Sequence, residues 1–207
     1  MEGSLIFKRI DSQDLLLEVY RLRFQVYCKE RHFIDESDCP NGYETDEFDK
    51  SALHFGAFDL SGQIIGTVRL IFPSCEKFPV EKLCADLKFG GSMPPRTECA
   101  EISRLTISKL YRKRTEGEKA SSYIHRVSPI VIGLCDEIYQ SCRRSAITHA
   151  LALMEKPLWT LLKLQGFIFD PIGPEVDFFG KVTPYLGSAL EFEKRGVFKN
   201  SHPMNVS

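Results

Sequence analysis

Apolar positions along the chain follow two different periods, and the switches between them outline the elements. Leu5–Ile10 reads as a short first strand. Asp11 or Ser12 can cap a helix after it, in which Leu15, Val19, Leu22 and Val26 recur at helical spacing and Leu16, Tyr20 and Tyr27 widen the stripe. Asp35–Asp49 is acidic and contains Pro40 and Gly42, a loop composition. Leu53–Phe58 and Gln63–Phe72 are strand-like runs joined by Asp59-Leu60-Ser61-Gly62, which predicts an antiparallel hairpin. On its second strand Ile65, Thr67, Arg69 and Ile71 share one face. Phe78–Phe89 has room for a short helix, Gly90–Pro95 for a loop, and Glu98–Ser108 for another strand.

The second half begins with a basic loop, Lys109–Lys119. Ser128-Pro129 has the form of a helix start, with Val131, Leu134, Cys135 and Ile138 as its buried stripe. Ser145–Met154 reads as a buried strand. Glu155-Lys156-Pro157 opens a short helix carrying Leu158, Leu161, Leu162 and Leu164, closed by Gly166. Phe167–Ile172 and Lys181–Phe192 are the expected last strands. The order of elements gives an α/β (α+β) chain, with one domain over residues 1–196 and a tail over 197–207.

Composition narrows the function. The chain has 207 residues and a formal net charge of -1, so a charge-driven contact must come from a local patch, and a nucleic-acid partner is not expected. No stretch approaches the roughly 20 apolar residues of a membrane helix. No apolar leader stands at Met1–Ile10. The expected setting is cytoplasmic, without stable membrane insertion. The seven cysteines are odd in number and contain no Cys-x-x-Cys pair, which argues against a disulfide framework and against a structural metal. Free thiols, mostly buried, are expected.

Three segments combine charge with expected burial: Arg21-Leu22-Arg23-Phe24, Glu44-Thr45-Asp46-Glu47-Phe48-Asp49 and Glu101-Ile102-Ser103-Arg104. Arg69 joins them from a strand interior. An unpaired buried charge is expensive, so Arg23, Arg69 and Arg104 call for carboxylate partners, and Asp46, Asp49 and Glu101 are the candidates. A set of surface salt bridges, each worth little, is the plain alternative. In a regular strand Glu101 and Arg104 face opposite sides. A bulge between them would let both line one site and would release backbone N–H groups to polarise a carbonyl.

These residues carry a resemblance. Arg21-Leu22-Arg23-Phe24-Gln25-Val26-Tyr27, Glu44-x-Asp46-x-Phe48-Asp49, Gly66-Thr67-Val68-Arg69-Leu70 and Glu101-Ile102-Ser103-Arg104-Leu105 resemble, in order and spacing, the acyl-homoserine-lactone synthase family, over about half the chain. Ile147–Leu158, Leu161–Phe167 and Pro171–Gly180 resemble the long-chain N-acyl amino acid synthases and the acyltransferases of the PEP-CTERM/exosortase system. Phe33 stands where the lactone synthases usually have tryptophan. Tyr111–Gly117 departs from the Gln/Arg-x-x-Gly-x-Gly/Ala loop that holds coenzyme A in most GNAT enzymes.

The resemblance implies a GNAT-like fold, a mixed, mostly antiparallel sheet with helices on both faces. It implies an N-acyltransferase that takes a fatty acyl group from a phosphopantetheine thioester, on acyl carrier protein or coenzyme A, to a small amine acceptor, with no permanently bound cofactor. Glu101 is the candidate general base. Asp46 and Asp49 are expected to hold the acceptor ammonium or to order Arg23 and Arg69. Arg104 is the candidate to bind an acceptor carboxylate. Leu105 and Ile107, with Leu70, Phe72, Leu151, Leu153, Trp159 and Phe167, are candidate walls for the acyl chain. Arg112, Lys113 and Arg114, with Lys109 and Lys119, form a cationic patch suited to an acidic carrier protein. The alternatives are a lactone synthase using S-adenosylmethionine, a Cys/His covalent mechanism, and a module that binds an acyl ligand without turnover.

Overall fold

The structure is a computed structural model and describes residues 5–84, 87, 93–113, 116, 117 and 119–198. The end of the predicted Phe78–Phe89 helix, Arg114, and the tail beyond residue 198 lie outside the described residues.

In chain order the elements are β1 Ile6–Arg9, α1 Gln13–Phe24, β2 Ala52–Phe58, β3 Ile64–Ile71, α2 Pro79–Leu83, β4 Cys99–Ile107, α3 Lys109–Arg112, α4 Ala120–Arg144, β5 His149–Met154, α5 Lys156–Leu164, β6 Phe169–Pro171, β7 Val176–Asp177, β8 Lys181–Ser188 and α6 Ala189–Lys194. The chain divides into two compact units, one of Met1–Leu70 and Arg104–Ile138, the other of Ile71–Ser103 and Tyr139–Ser207.

In the first unit β1, β2, β3 and the end of β4 are neighbours in that order. β1 lies antiparallel to β2 with Phe7 opposite Ala57. The β2–β3 turn forms as predicted: Asp59 accepts from the N–H groups of Ser61 and Gln63, and Gly62 takes φ +82°. Ser12 caps α1, its Oγ accepting from Leu15 N–H at 3.3 Å. Val19, Tyr20 and Arg23 form the buried side of α1. Val19 and Tyr20 pack with Ile10 and Phe58, and Leu15 and Leu16 are only partly buried against them. Gly66 lets β3 approach α4, since a Cβ there would stand 3.0 Å from Ile130 Cγ2.

In the second unit β4, β5, β8 and β6 follow one another, with β7 paired to β8. β4–β5 is parallel, whereas β5–β8, β6–β8 and β7–β8 are antiparallel, so the sheet is mixed and mostly antiparallel. Phe167 and Phe169 each pack on Phe192 with ring centroids 5.3 Å apart. Gly166 ends α5 in the left-handed region, as expected.

Three readings of the sequence differ from the structure. Lys109–Lys119 is not loop throughout, because Lys109–Arg112 forms the short helix α3. Lys181–Phe192 is not one strand: β8 stops at Ser188 and α6 begins at Ala189, with Phe192 facing inward as a helical residue. Ser128-Pro129 does not start a helix either. α4 begins at Ala120 and Pro129 lies inside it. Val127, Ile130, Val131 and Leu134 continue one buried stripe through that point. Pro129 is on the exposed side, so the carbonyl of exposed His125, deprived of its usual N–H donor, faces water instead of the core. Restoring the missing donor should therefore help. Pro129→Ala is expected to stabilise the protein by about 1–3 kcal/mol, read as a higher urea midpoint at unchanged slope; a lower midpoint would show that the helix needs a bend there.

Candidate active site

Arg23 sits in the last turn of α1 and is fully buried. Each of its three guanidinium nitrogens donates to a carboxylate: Nε to Glu44 Oε2 at 2.5 Å, and the two terminal nitrogens to Asp49 Oδ1 and Oδ2 at 2.7 and 3.1 Å. The second contact is the bidentate fork that makes arginine suited to buried pairs. Arg69, on β3, donates to Asp46 Oδ1 at 2.5 Å and Asp49 Oδ1 at 2.7 Å. Arg104, on β4, reaches Glu44 Oε1 at 3.1 Å and Asp46 Oδ2 at 3.0 Å. Three guanidinium groups and three carboxylates thus form one network within the first unit, and its charges balance.

The loop carrying the carboxylates is held by the same groups. Asp49 Oδ2 accepts from Asp46 N–H at 2.7 Å, Asp46 Oδ1 accepts from Phe48 N–H at 2.9 Å, and Glu44 N–H donates to Tyr20 O at 3.2 Å. Burial alone would raise the pKa of Asp49. The hydrogen bonds and charge of Arg23, with the charge of Arg69, outweigh it and hold the carboxyl far below its usual range. Asp46 shows the same balance, burial being overcome by Arg69 and Arg104. Burial would lower the Arg104 pKa, and Glu44 reverses this. His54, buried edge-on to Tyr20, is pushed down chiefly by burial and stays neutral.

Burial grades across the network. The Arg23 and Arg69 side chains are 1% exposed, but Asp46 is 24% and Arg104 14% exposed. Asp46 and Arg104 are therefore the pair a ligand can reach. Arg104 also lies 5.6 Å from the Tyr27 ring and has φ +54°, a left-handed residue inside a strand. That is the backbone signature of the expected bulge. After α1 the chain widens into a π-helical turn, Gln25–Glu30, which places Tyr27 with its hydroxyl 3.4 Å from Leu105 O.

Glu101 belongs to the second unit. It is buried, and Oε2 accepts from Val80 N–H at 2.9 Å, in the first turn of α2. Glu81 closes that same turn on Phe78 N–H at 2.7 Å and is held by Arg96 at 3.0 Å. The β4–β5 ladder ends at Glu101 opposite Leu151. β5 continues through Ala152, Leu153 and Met154, paired only to β8 among the described residues.

The sequence-predicted residues fall into three groups. Arg23, Arg69, Arg104, Asp46 and Asp49 come together. Glu101 is placed on a helix N-terminus. Of the expected donor-binding residues, Leu105 is half-buried and Ile107 buried. Arg112 is tied to Glu30 and to Ile107 O, and Lys113 is exposed, its carbonyl accepting from Arg126. The prominent residue missed is Glu44, which joins Arg23 to Arg104. Its signal was spacing: two residues before Asp46 on a loop already marked as acidic.

Residues 22–118 match the acetyltransferase (GNAT) domain family. No curated protein matches the chain by sequence. Among solved structures, the chain is similar to BjaI, a CoA-dependent acyl-homoserine lactone synthase determined with MTA, at 16% identity and TM-score 0.69, over 97% of this chain and 92% of that one. It is similar to the AHL synthase LasI at 16% identity and TM-score 0.67, over 98% and 99%. It is similar to FeeM, an N-acyl amino acid synthase from uncultured soil microbes, at 14% identity and TM-score 0.64, over 94% and 95%. The chain has the GNAT fold.

Two stability outcomes follow. Asp49→Asn leaves Arg23 and Arg69 undercompensated and should cost about 3–5 kcal/mol in urea unfolding. Asp177→Asn, in the exposed Lys181 pair, should leave the midpoint unchanged. On acidification stability should fall in two steps. Both His54 and His149 have pKa values lowered chiefly by burial, so their stability contribution is full above the unfolded value of about 6.5 and is lost as pH falls toward their folded values. Asp46 and Asp49 contribute fully above about 3.9 and are lost only well below it. Urea midpoints across pH check this; a flat profile from pH 7 to 5 would contradict the first step.

Proposed function

We propose that the protein transfers a fatty acyl group from a phosphopantetheine thioester to the amine of an amino-acid-like acceptor. The observation that carries this is the accessible edge of the ion network, where a carboxylate, Asp46, and a guanidinium, Arg104, stand side by side. One complements an ammonium and the other a carboxylate, the two ends of an amino acid. The family match and the likeness to lactone and N-acyl amino acid synthases support the reaction class.

In the reaction the acceptor amine forms a bond to the thioester carbonyl carbon, the carbon–sulfur bond breaks, and the departing thiolate takes up a proton. The amine must first lose its own. Glu101 is the base, directly or through a water, and its Oε2 is oriented by the Val80 N–H. The amide groups of the donor arm add to the edge of β5 that, among the described residues, β4 does not pair from Ala152 onward. No protein nucleophile takes part. The seven free cysteines are buried or half-buried, and burial raises the thiol pKa of Cys99, Cys135 and Cys142 up to about 12.

An acyl carrier protein is the donor carrier, docking at Lys109 and Lys113, both exposed, around Leu110, which is 79% exposed. Arg112 serves to hold the loop and not to dock, because its guanidinium is engaged by Glu30 and Ile107 O.

Mass spectrometry of products tests the reading. Purified protein is mixed with long-chain acyl carrier protein or acyl coenzyme A, a pool of amino acids and S-adenosylmethionine. An open-chain acyl amide is expected, reduced about 100-fold or more in Glu101→Gln. A lactone would establish S-adenosylmethionine as the acceptor instead. No product with either donor would overturn the transferase. Lys109→Glu with Lys113→Glu should raise the carrier-protein KM several-fold and spare kcat; an unchanged KM would remove the docking site.

A further inference from the structure

Two thiols outside the ion network face each other. Cys28 lies in the π-helical turn and Cys39 in the loop that leads to Glu44, and their sulfurs are 3.9 Å apart. Both are buried, at 1% and 7% exposure. They are not equivalent. Cys39, unlike Cys28, also lines an open cavity of about 360 Å³ formed with Leu17, Tyr20, Pro40, Tyr43 and Thr45. Cys28 donates its S–H to the Cys39 sulfur. Burial raises the pKa of both thiols, that of Cys28 up to about 12, while the S–H bond from Cys28 acts to lower that of Cys39. Access and hydrogen bonding therefore single out Cys39 as the first to react, with Cys28 behind it.

We propose that Cys28 and Cys39 form a reversible thiol–disulfide pair that responds to hydroperoxides, with Cys39 as the attacked thiol and Cys28 as the resolving one. The chemistry balances in two steps. Cys39 thiol and a hydroperoxide give Cys39 sulfenic acid and water or an alcohol, with the peroxide O–O bond reduced. The Cys28 sulfur then attacks the sulfenic sulfur, forms the S–S bond and releases water. A dithiol reductant reverses the product.

Bond formation requires the sulfurs to close by about 2 Å. Cys28 is held by its helical turn, whereas Cys39 follows a single 3₁₀ turn, Glu36–Asp38, and precedes Gly42, at φ +71°. The loop therefore makes the movement. Glu44 is five residues further on and bonds both Arg23 and Arg104, so oxidation pulls on the carboxylate that joins them. The pair is a redox input to the network, and it stands whatever the acceptor of the proposed reaction is.

The test reads thiols, so it does not depend on turnover. Native protein is treated with hydrogen peroxide, capped with iodoacetamide, digested with trypsin and mapped by mass spectrometry. Cleavage after Lys29 and Arg31 places the two cysteines on separate peptides. The expected result is a cross-linked pair about 2 Da lighter than the sum of its peptides, lost on treatment with dithiothreitol. In Cys28→Ser, Cys39 should instead gain about 32 Da as sulfinic acid and fail to revert. Cys28 and Cys39 both alkylated after peroxide, or Cys39 joined to another cysteine, overturns the proposal. The wild-type map decides the matter even if the variant does not fold.

Discussion

A guanidinium cannot be taken out of water alone, and the first unit is arranged around that constraint. Moving one such charge into a low-dielectric interior costs several kcal/mol even after relaxation, against a total stability of about 5–15 kcal/mol for an ordinary domain. Arg23 is fully buried, so its compensation is a condition for folding. Glu44 and Asp49 must arrive together from a loop more than twenty residues away in sequence. The loop in turn obtains its shape from the same carboxylates, through the Asp46 and Phe48 amides. Charge pairing and loop conformation are therefore one cooperative event, and neither part is stable without the other.

The same constraint leaves one edge of the network open to solvent. A network that is wholly buried and wholly satisfied does no chemistry, because every donor and acceptor is occupied by another side chain. Arg69 and Arg23 come close to that limit. Asp46 and Arg104 do not, since each retains a wet fraction of its surface. The left-handed backbone of Arg104 contributes here. A non-glycine residue in that region carries strain, held in place by the carboxylates on its guanidinium. The deep pairs thus supply rigidity, and the shallow pair supplies a polarised surface whose geometry is fixed in advance, which lowers the cost of ordering a ligand.

Much of this was legible in the residues. The order of strands and helices came from periodicity, and charged residues inside strand and helix patterns marked Arg23, Arg69, Arg104, Asp46 and Asp49. What stayed hidden has physical reasons. Pairing partners depend on how a loop closes, which periodicity does not encode, so Glu44 was read as part of a motif and not as the link between two arginines. Pro129 marks a boundary by local rules, yet a stripe that stays buried through it overrides the local signal when the ring faces water. Ser188 to Phe192 carries apolar spacing that suits either a strand or a helix, and only its packing against Phe167 and Phe169 decides for the helix. Cys28 and Cys39, eleven residues apart and without a motif, become a pair only in three dimensions.

Glu101 shows how far a sequence motif can be trusted for a role. Its neighbourhood with Arg104 along the strand suggests an ion pair, and an arginine would stabilise the carboxylate by charge. The structure gives its Oε2 a main-chain donor, Val80 N–H at the start of a helix that Glu81 and Arg96 secure. That amide belongs to a turn close to Glu101 in the fold, whereas Asp46 and Asp49 are held by arginines that arrive from a helix and two strands distant in sequence. Motif spacing marks all three carboxylates alike, because it records which residues recur and not which donor the folded chain brings to each. The kind of partner is decided by how loops and helix ends close, and that is why the carboxylates of one motif set end in different surroundings.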